Sequence, residues 1–217
     1  MRPAAEPAIT AADDPREFAA TLHAMYDAAM SGGKMPAHPR SVISESWARA
    51  TVAGVDPEHG AGDDPLGFAD VERRRTESGL AGCLDSIVAS LRPVVTDSDN
   101  LIIVADASGH VLWRAGGSRA LRRADQLKFT EGASWSERQV GTNAIGTALA
   151  SRHPVQVFSA EHFVRSHHAW TCTASPIRDP RTGELLGVVD VSGPAPSIHP
   201  TTLALVDSVA KLTESRL

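Results

Sequence analysis

The stretch that decides the fold reads GTNAIGTAL over residues 141–149 and is preceded by Trp135-Ser136-Glu137. Gly141 permits a sharp turn, and Thr142 or Asn143 can cap the first turn of a following helix. A helix N-terminus has unpaired N–H groups and a partial positive charge, so it can receive a carbonyl, a carboxylate or a phosphate. The alternative is that the glycines and alanines only let this helix lie flat on a sheet. The spacing fits neither a phosphate-binding loop nor a dinucleotide-binding glycine motif.

Composition excludes several classes of protein. The chain has 217 residues and a formal net charge of −5, which argues against a surface built to wrap nucleic acid. Its two cysteines, Cys83 and Cys172, cannot build a disulfide framework or a four-thiolate zinc site. The sequence has no signal peptide pattern and no run of ~20 apolar residues. These features predict a cytoplasmic protein.

Apolar periodicity divides the chain into segments. Residues 1–15, rich in Ala, Pro and Asp, are predicted to be a disordered tail. Residues 16–65 are predicted to be a helical lead-in, with helices over Arg16–Met30 and Arg40–Ala53. A buried helix is expected within Ser78–Ser98, kinked or ended by its proline.

The pattern then changes from helical to strand periodicity. A hairpin is predicted from Leu101–Asp106 and His110–Arg114. Further elements follow in the order helix, strand, strand, strand, helix over residues 142–151, 154–158, 171–177, 185–192 and 200–217. This order predicts an α+β fold with an antiparallel sheet and helices packed on it.

A second polar cluster contains Glu161, His162, His167, His168 and Cys172. These are potential metal ligands, but the histidine spacing fits neither a helix nor a strand, so a metal site is not favoured. Other interpretations are a loop packed on the core or polar groups at the mouth of a pocket. Cys172 falls on a predicted strand and is better explained as a small buried side chain than as a nucleophile paired with a histidine.

Many short motifs recur in a familiar order along this chain. They are Trp135-Ser136-Glu137, the stretch 140–149, Pro154-Val155, Glu161-His162-Phe163, Trp170-Thr171-Cys172, Ala174-Ser175-Pro176-Ile177 and the stretch 186–193. Together they strongly resemble the GAF sensory domain of acetoin- and dihydroxyacetone-operon activators. Residues 40–49 are similar to the helical lead-in of those regulators, so the resemblance runs from about Pro39 to Leu217.

The resemblance implies a GAF fold over residues 66–200, with about six antiparallel strands, helices on both faces and a ligand or partner site on one face. Residues 201–217 would form a C-terminal connecting helix. No cofactor and no metal are implied, and the domain is not expected to be an enzyme, since GAF-type sulfoxide chemistry needs neighbouring thiols. DNA binding would belong to domains absent from this chain, and no membrane partner is expected.

The leading functional hypothesis is a sensor that binds a small metabolite and passes the signal through its terminal helices in a homodimer. Its candidate ligand-binding residues are Trp135, Thr142, Asn143, Thr147, His162, Trp170 and Cys172. In this hypothesis the threonine and asparagine side chains orient the ligand, the tryptophans form apolar walls, and the histidine bonds it at the pocket mouth. The alternative is a protein-interaction module that receives its signal from a partner protein, with no small ligand.

Overall fold

The computed structural model describes residues 6–59, 64–96 and 98–217. The described part of the chain begins with helices, and its strands all lie between Leu101 and Pro194. The helices are α1 (Pro15–Ser31), α2 (Ser41–Val52), α3 (Phe68–Glu77), α4 (Leu84–Val95), α5 (Ser118–Asp125), α6 (Glu137–Val140), α7 (Ala144–Ser151) and α8 (Thr201–Glu214). The strands are β1 (Leu101–Asp106), β2 (Val111–Gly116), β3 (Val155–Phe158), β4 (Trp170–Arg178) and β5 (Leu185–Pro194).

The strands form one antiparallel sheet in the order β2-β1-β5-β4-β3. The sequence predicted about six strands, and the described sheet has five. Next to β2, residues 132–135 make an isolated bridge between Ser134 and His110 and backbone hydrogen bonds to Gly109 and Val111. The segment leading into α6 therefore follows the sheet edge without extending it as a sixth strand.

Side chains alternate between the two faces of the sheet, because successive strand residues point in opposite directions. One set forms the front cluster with α1, α2 and α7, and its strand members include Leu101, Ile103, Ala105, Val157, Trp170, Cys172, Ala174 and Val188. The other set forms the rear cluster with α4 and α8, and its strand members are Ile102, Val104, Ile177, Val189 and Val191. Helices cover both faces, as the GAF resemblance implied.

The N-terminal segment packs earlier than the sequence predicted. Residues 1–5 of the predicted disordered tail lie outside the described residues, but Ala8 and Ile9 are buried in the front cluster. The backbone N–H of Ala8 donates to Gln156 Oε1 at 3.0 Å. The prediction of disorder therefore does not hold for residues 6–14, because two apolar side chains and a backbone hydrogen bond attach them to β3.

The terminal helices use their apolar sides within the chain. Leu22, Met25 and Tyr26 of α1 are buried in the front cluster, and Val206 and Val209 of α8 are buried in the rear cluster. The homodimer of the leading hypothesis stays a prediction. No single helix in the described ranges is long and apolar enough to span a membrane, and one sharply bent helix pair over residues 68–95 passes by length and composition alone.

Candidate functional site

The opening stretch begins a helix as predicted, and Asn143 is its cap. The Oδ1 atom of Asn143 accepts from Gly146 N at 2.9 Å, and its Nδ2 atom donates to Gly141 O at 2.8 Å. Gly141 has φ +65°, and a Cβ placed on it would lie 2.5 Å from Phe163 Cβ. The amide of Asn143 is thus engaged in shaping the turn, and glycine is required where the turn meets Phe163.

Thr142 and Thr147 belong to a buried hydroxyl network that reaches α2. Their Oγ1 atoms lie 2.6 and 3.1 Å from Ser46 Oγ, and Ser46 donates to Glu137 Oε1 at 2.5 Å. All four side chains are buried. The two threonines therefore fasten the lead-in helix to the start of α7.

Arg49 closes this network at the surface. Its Nε atom donates to Glu137 Oε2 at 2.6 Å, and its Nη2 atom donates to Oε1 at 2.9 Å. A bidentate guanidinium–carboxylate pair fixes geometry as well as charge. The carboxylate of Glu137 is consequently paired despite its burial, and α2 is held at both its Ser46 and Arg49 positions.

Residues 159–168, which we name the histidine loop, are held by both lead-in helices. The Nε and Nη2 atoms of Arg40 donate to the two carboxylate oxygens of Glu161 at 2.9 and 2.8 Å. The indole N–H of Trp47 donates to Glu161 O at 2.8 Å, and the Tyr26 hydroxyl donates to Phe163 O at 2.6 Å. The position of this loop is thus coupled directly to α1 and α2.

Two imidazoles of the histidine loop carry buried nitrogens without partners. His162 is 1% exposed, and its Nδ1 lies 2.9 Å from Ser159 O, which makes Nδ1 the protonated nitrogen. His162 Nε2 and His167 Nδ1 have no hydrogen-bond partner among the described residues. Burial, reinforced by the neighbouring His167, lowers the pKa of His162 to about 3, and burial also lowers the pKa of His167 to about 4. His162 therefore presents a free acceptor at neutral pH.

Aromatic rings line one side of these imidazoles. The centroid of Trp135 lies 5.0 Å from that of His167 and 4.0 Å from that of Phe129. The rings of His162 and His167 are 6.2 Å apart and nearly perpendicular. The Trp135 wall and the histidine predicted from the sequence are therefore brought together, with His167 between them.

Trp170 and Cys172 lie on β4 and contribute to the front cluster. The Arg123 guanidinium lies 5.3 Å from the centre of the Trp170 ring, so a cation covers one face of this ring. Burial, followed by the charge of Asp190, raises the pKa of the Cys172 thiol well above its usual range. The thiol is consequently protonated at neutral pH.

The structure separates the predicted site residues into two groups. Trp135, His162, Trp170 and Cys172 contribute to the front interior, whereas the polar atoms of Thr142, Asn143 and Thr147 are used in the α7 turn and the α2 contact. Sequence reasoning missed Ser46 and Glu137 as partners of the threonines. It named His167 in the polar cluster, as a potential metal ligand, a loop residue or a polar group at a pocket mouth, but not among the candidate ligand-binding residues, and no sequence signal shows that its Nδ1 lacks a partner.

Two other kinds of chemistry were weighed from the sequence. Within the described residues, no group of three or more His, Cys, Asp or Glu side chains is arranged to hold a metal ion. Cys83 belongs to the rear cluster and Cys172 to the front cluster, so the sheet separates the two thiols. They cannot act as a neighbouring dithiol in this fold.

Asp190 on β5 is a buried carboxyl group on the front side of the sheet. It pairs in register with Ala174, is 0% exposed, and its Oδ2 accepts from Ser192 Oγ at 2.5 Å. Its Oδ1 has no hydrogen-bond partner in the described part of the chain. Burial raises the pKa of Asp190 from its usual 3.8 to about 7.

Asp190 is expected to make stability depend on pH. Between about pH 4 and pH 7 the native carboxyl keeps a proton that the unfolded chain has released, so this stabilisation is full at low pH and is lost as pH rises. The unfolding free energy of Asp190→Asn relative to the parent should therefore increase on going from pH 4 to pH 8, by on the order of a few kcal/mol. Urea unfolding of both proteins at several pH values between 4 and 8 measures this difference in unfolding free energy.

The parent and Asp190→Asn have the same histidines, so the contribution of histidine titration cancels in the difference between their unfolding free energies. Asp85→Asn, which changes an exposed carboxylate in the first turn of α4, is the control for the loss of a surface carboxylate. A flat profile for Asp190→Asn would mean that Asp190 is ionised in the native protein throughout.

The geometry is therefore that of an interior capped by a loop, with two helices attached to that loop. A family model described as MimR, N-terminal domain, matches residues 24–215. The chain belongs to this family. The chain is also similar to operon transcriptional activators.

Two relatives and one solved structure define this similarity. The chain is 39% identical over 180 residues to an uncharacterized 47.3 kDa protein in the thcA 5' region of Rhodococcus erythropolis, covering 83% of this chain and 41% of that protein. It is 35% identical over 179 residues to the acetoin dehydrogenase operon transcriptional activator AcoR of Bacillus subtilis, covering 82% of this chain and 29% of that protein. The chain thus spans less than half the length of these relatives.

The fold matches that of DhaR(N) in the crystal structure of the E. coli DhaR(N)–DhaL complex. The TM-score is 0.72 at 22% identity, and the match covers 82% of this chain and 61% of that chain. The family match and the AcoR similarity confirm the resemblance to N-terminal domains of acetoin- and dihydroxyacetone-type operon activators. The α+β GAF fold predicted from the sequence is confirmed by this structural likeness.

Proposed function

We propose that this chain is the signal-input domain of a bacterial, cytoplasmic transcriptional regulator, and that its effector is a small uncharged molecule bearing a hydroxyl group. The effector would bind in the front interior beside His162, His167 and Trp135. The observation that carries this proposal is the pair of buried imidazole nitrogens without partners. Buried polar groups are nearly always hydrogen-bonded, so an unpaired pair is the expected mark of a missing ligand or ordered water.

The protonation state of His162 determines the class of ligand. Its Nδ1–H is used by Ser159 O, and the lowered pKa keeps Nε2 unprotonated, so Nε2 accepts hydrogen bonds and does not donate. A hydroxyl group can donate to this atom, whereas a ketone or a carboxylate cannot. The ring of Trp135 next to His167 provides an apolar wall for the carbon part of the ligand. Trp170 and Cys172 of the predicted set would contribute from β4.

The same arrangement suggests how binding would be transmitted. Ligand entry requires the histidine loop to move, and this loop carries the groups bonded by Arg40, Trp47 and Tyr26. A bound ligand would therefore change the stability of the α1 and α2 contacts, since a ligand shifts an equilibrium by its differential affinity for the two states. Thr142, Asn143 and Thr147 would act in this transmission by holding α2 and the α7 turn in register.

Titration with acetoin, 2,3-butanediol and acetone tests the site, with binding followed by NMR. Acetoin and 2,3-butanediol carry hydroxyl donors and should bind, whereas acetone should not. His162→Asn keeps a donor near Ser159 O but removes the acceptor at the Nε2 position. It should weaken binding of the hydroxyl compounds about tenfold or more, because a lost buried hydrogen bond costs about 1–3 kcal/mol.

The matched control is His153→Asn. The Nδ1 of His153 also lies near a serine carbonyl, Ser151 O, but this residue is at the C-terminal end of α7, away from the histidine loop. The affinity of His153→Asn for the same compounds should equal that of the parent. Equal saturable shifts of the histidine-loop amides in the parent and in His162→Asn, or tighter binding of acetone than of the diol at that loop, would refute the proposed site, whereas shifts at the rear of the sheet do not bear on it.

The second candidate is a protein-interaction module, and a surface groove favours it. The groove has a volume of about 850 Å³ and lies between α2, α6 and α7. Val52 on its edge is 90% exposed, and Leu149, Ala150 and Ala53 also line it. Exposed apolar surface of this kind commonly marks a contact site. The matched E. coli structure is a complex of DhaR(N) with DhaL. If a partner protein likewise supplies the signal to this chain, acetoin, 2,3-butanediol and acetone should all fail to bind.

A further inference from the structure

A second cavity lies on the opposite side of the sheet from the histidine loop. Its volume is about 200 Å³, and it is located between the first turn of α8, the turn Ala195–Ser197 and the rear surfaces of β4 and β5. Thr171 and Thr173 line it. Because these residues alternate along β4 with Trp170 and Cys172 of the front cluster, the sheet separates this cavity from the front interior.

Thr171 is the unusual residue in this cavity. The residue is 6% exposed, and its Oγ1 has no hydrogen-bond partner within the described ranges. The hydroxyl of Thr173 on the same face, by contrast, accepts from Gln156 Nε2 at 3.2 Å. A buried hydroxyl without a partner is destabilising unless something in the cavity bonds to it.

The first turn of α8 adds hydrogen-bonding groups to the same cavity. The residue before the helix is Pro200, which supplies no side-chain cap, and Thr201 and Thr202 of the first turn line the cavity. The N–H groups of Thr201 and Thr202 are already bonded to His199, at 3.3 Å to its Nδ1 and 3.2 Å to its carbonyl O, so the helix start contributes threonine side chains to the cavity and not open N–H groups. His199 and Thr201 are exposed, which places the mouth of the cavity at the protein surface.

The lining residues define the chemistry of an occupant. Hydroxyl and amide side chains face Val94, Val191 and Leu205, and none of the described lining residues is Lys, Arg, Asp or Glu. The cavity therefore suits an uncharged molecule with a short aliphatic part. A cavity of about 150 Å³ holds benzene, so this one has room for a slightly larger molecule.

We propose that this cavity is a binding site for a small aliphatic diol or hydroxy ketone, with Thr171 as a hydrogen-bonding partner. The site does not depend on the proposed front effector site. Gln156 connects it to the N-terminal segment, because its Nε2 donates to His199 O at 3.1 Å and its Oε1 accepts from Ala8 N. Occupation would thus act on the segment around Ala8 and on the start of α8 together.

Titration of the full chain with 1,2-butanediol, followed by amide NMR, tests this site. Saturable shifts are expected at Thr171, Gly193 and Thr202. Thr171→Val should leave the protein folded, since it removes an unpaired hydroxyl without changing shape, and should weaken binding about tenfold or more. Thr202→Val provides a second variant at the surface end of the cavity and should weaken binding in the same direction.

Thr213→Val is the matched control, because this buried threonine of α8 donates to Val209 O, away from the cavity. It should bind the diol as the parent does. Equal binding by Thr171→Val and the parent would overturn the proposal. Shifts confined to the histidine loop, or binding of lactate as tight as that of 1,2-butanediol, would also overturn it. The absence of any saturable shift would overturn it as well and would mean that the cavity holds only water.

Discussion

Glu161→Ala is expected to lower the free energy of unfolding by about 3–5 kcal/mol, the cost of breaking a buried ion pair on one side. The side chains of Arg40 and Glu161 are 13% and 2% exposed, and two hydrogen bonds join them. Glu161 Oε2 also accepts from Phe158 N at 2.9 Å. The variant would leave the Arg40 guanidinium with only the carbonyls of Glu6 and Gln156 and without a neutralising charge, and this N–H without its acceptor, so it loses more than one surface salt bridge would contribute.

Thermal unfolding measures this effect. In a chain of this size, a loss of 1 kcal/mol lowers Tm by about 2–4 °C, so a decrease of roughly 6–20 °C is expected. Glu184→Ala is the control, because Glu184 is exposed in the turn before β5, and its Tm should stay within about 2 °C of the parent. A similar small change for Glu161→Ala would show that Arg40 is readily solvated and that the histidine loop is not held by this pair.

Gly141→Ala is expected to be destabilising by more than about 3 kcal/mol, since it combines backbone strain with overpacking. The backbone at Gly141 has φ +65° and ψ −157°, and the new Cβ would lie 2.5–2.8 Å from three atoms of Phe163. Relief of the clash requires Phe163 to move, and its backbone is bonded to Tyr26 and Thr142.

Gly183→Ala separates the two causes. Gly183 has φ +74° in the turn before β5, and a Cβ there would meet nothing within 4 Å. This control should cost only the conformational term, about 1–2 kcal/mol. Urea unfolding of both variants gives the comparison. Equal losses would mean that the contact with Phe163 contributes nothing and that the front interior adapts freely.

The sheet and the buried helices could be predicted because their apolar residues repeat with the right period. The hairpin of β1 and β2 and the helix α7 with its Asn143 cap follow from local pattern alone. Helix α3 was not predicted, because its sequence FADVERRRTE is strongly polar and only Val71 is buried. The packed segment at Ala8 was also missed, because its hydrogen-bond partner Gln156 is 148 residues away in the chain.

The candidate site shows the same limit. Thr142 and Thr147 were predicted to line a ligand site, but spacing could not identify Ser46, which is 96 and 101 residues away from them, as the partner of their hydroxyl groups. A hydroxyl group can be hydrogen-bonded equally well by a ligand or by a side chain of a distant helix. His167 was named in the polar cluster but left out of the candidate ligand-binding residues, because its importance comes from an unpaired nitrogen, which only three-dimensional contacts can establish.

The two carboxylates of the front face also determine what folds as a unit. Glu137 and Glu161 belong to the predicted sheet domain, whereas their guanidinium partners, Arg49 and Arg40, belong to the lead-in before residue 65. A protein beginning at residue 66 would carry both acids near the core without the cations that neutralise them. The predicted boundary at residue 65 therefore does not separate two units that unfold independently. The lead-in and the sheet are expected to unfold in one cooperative transition.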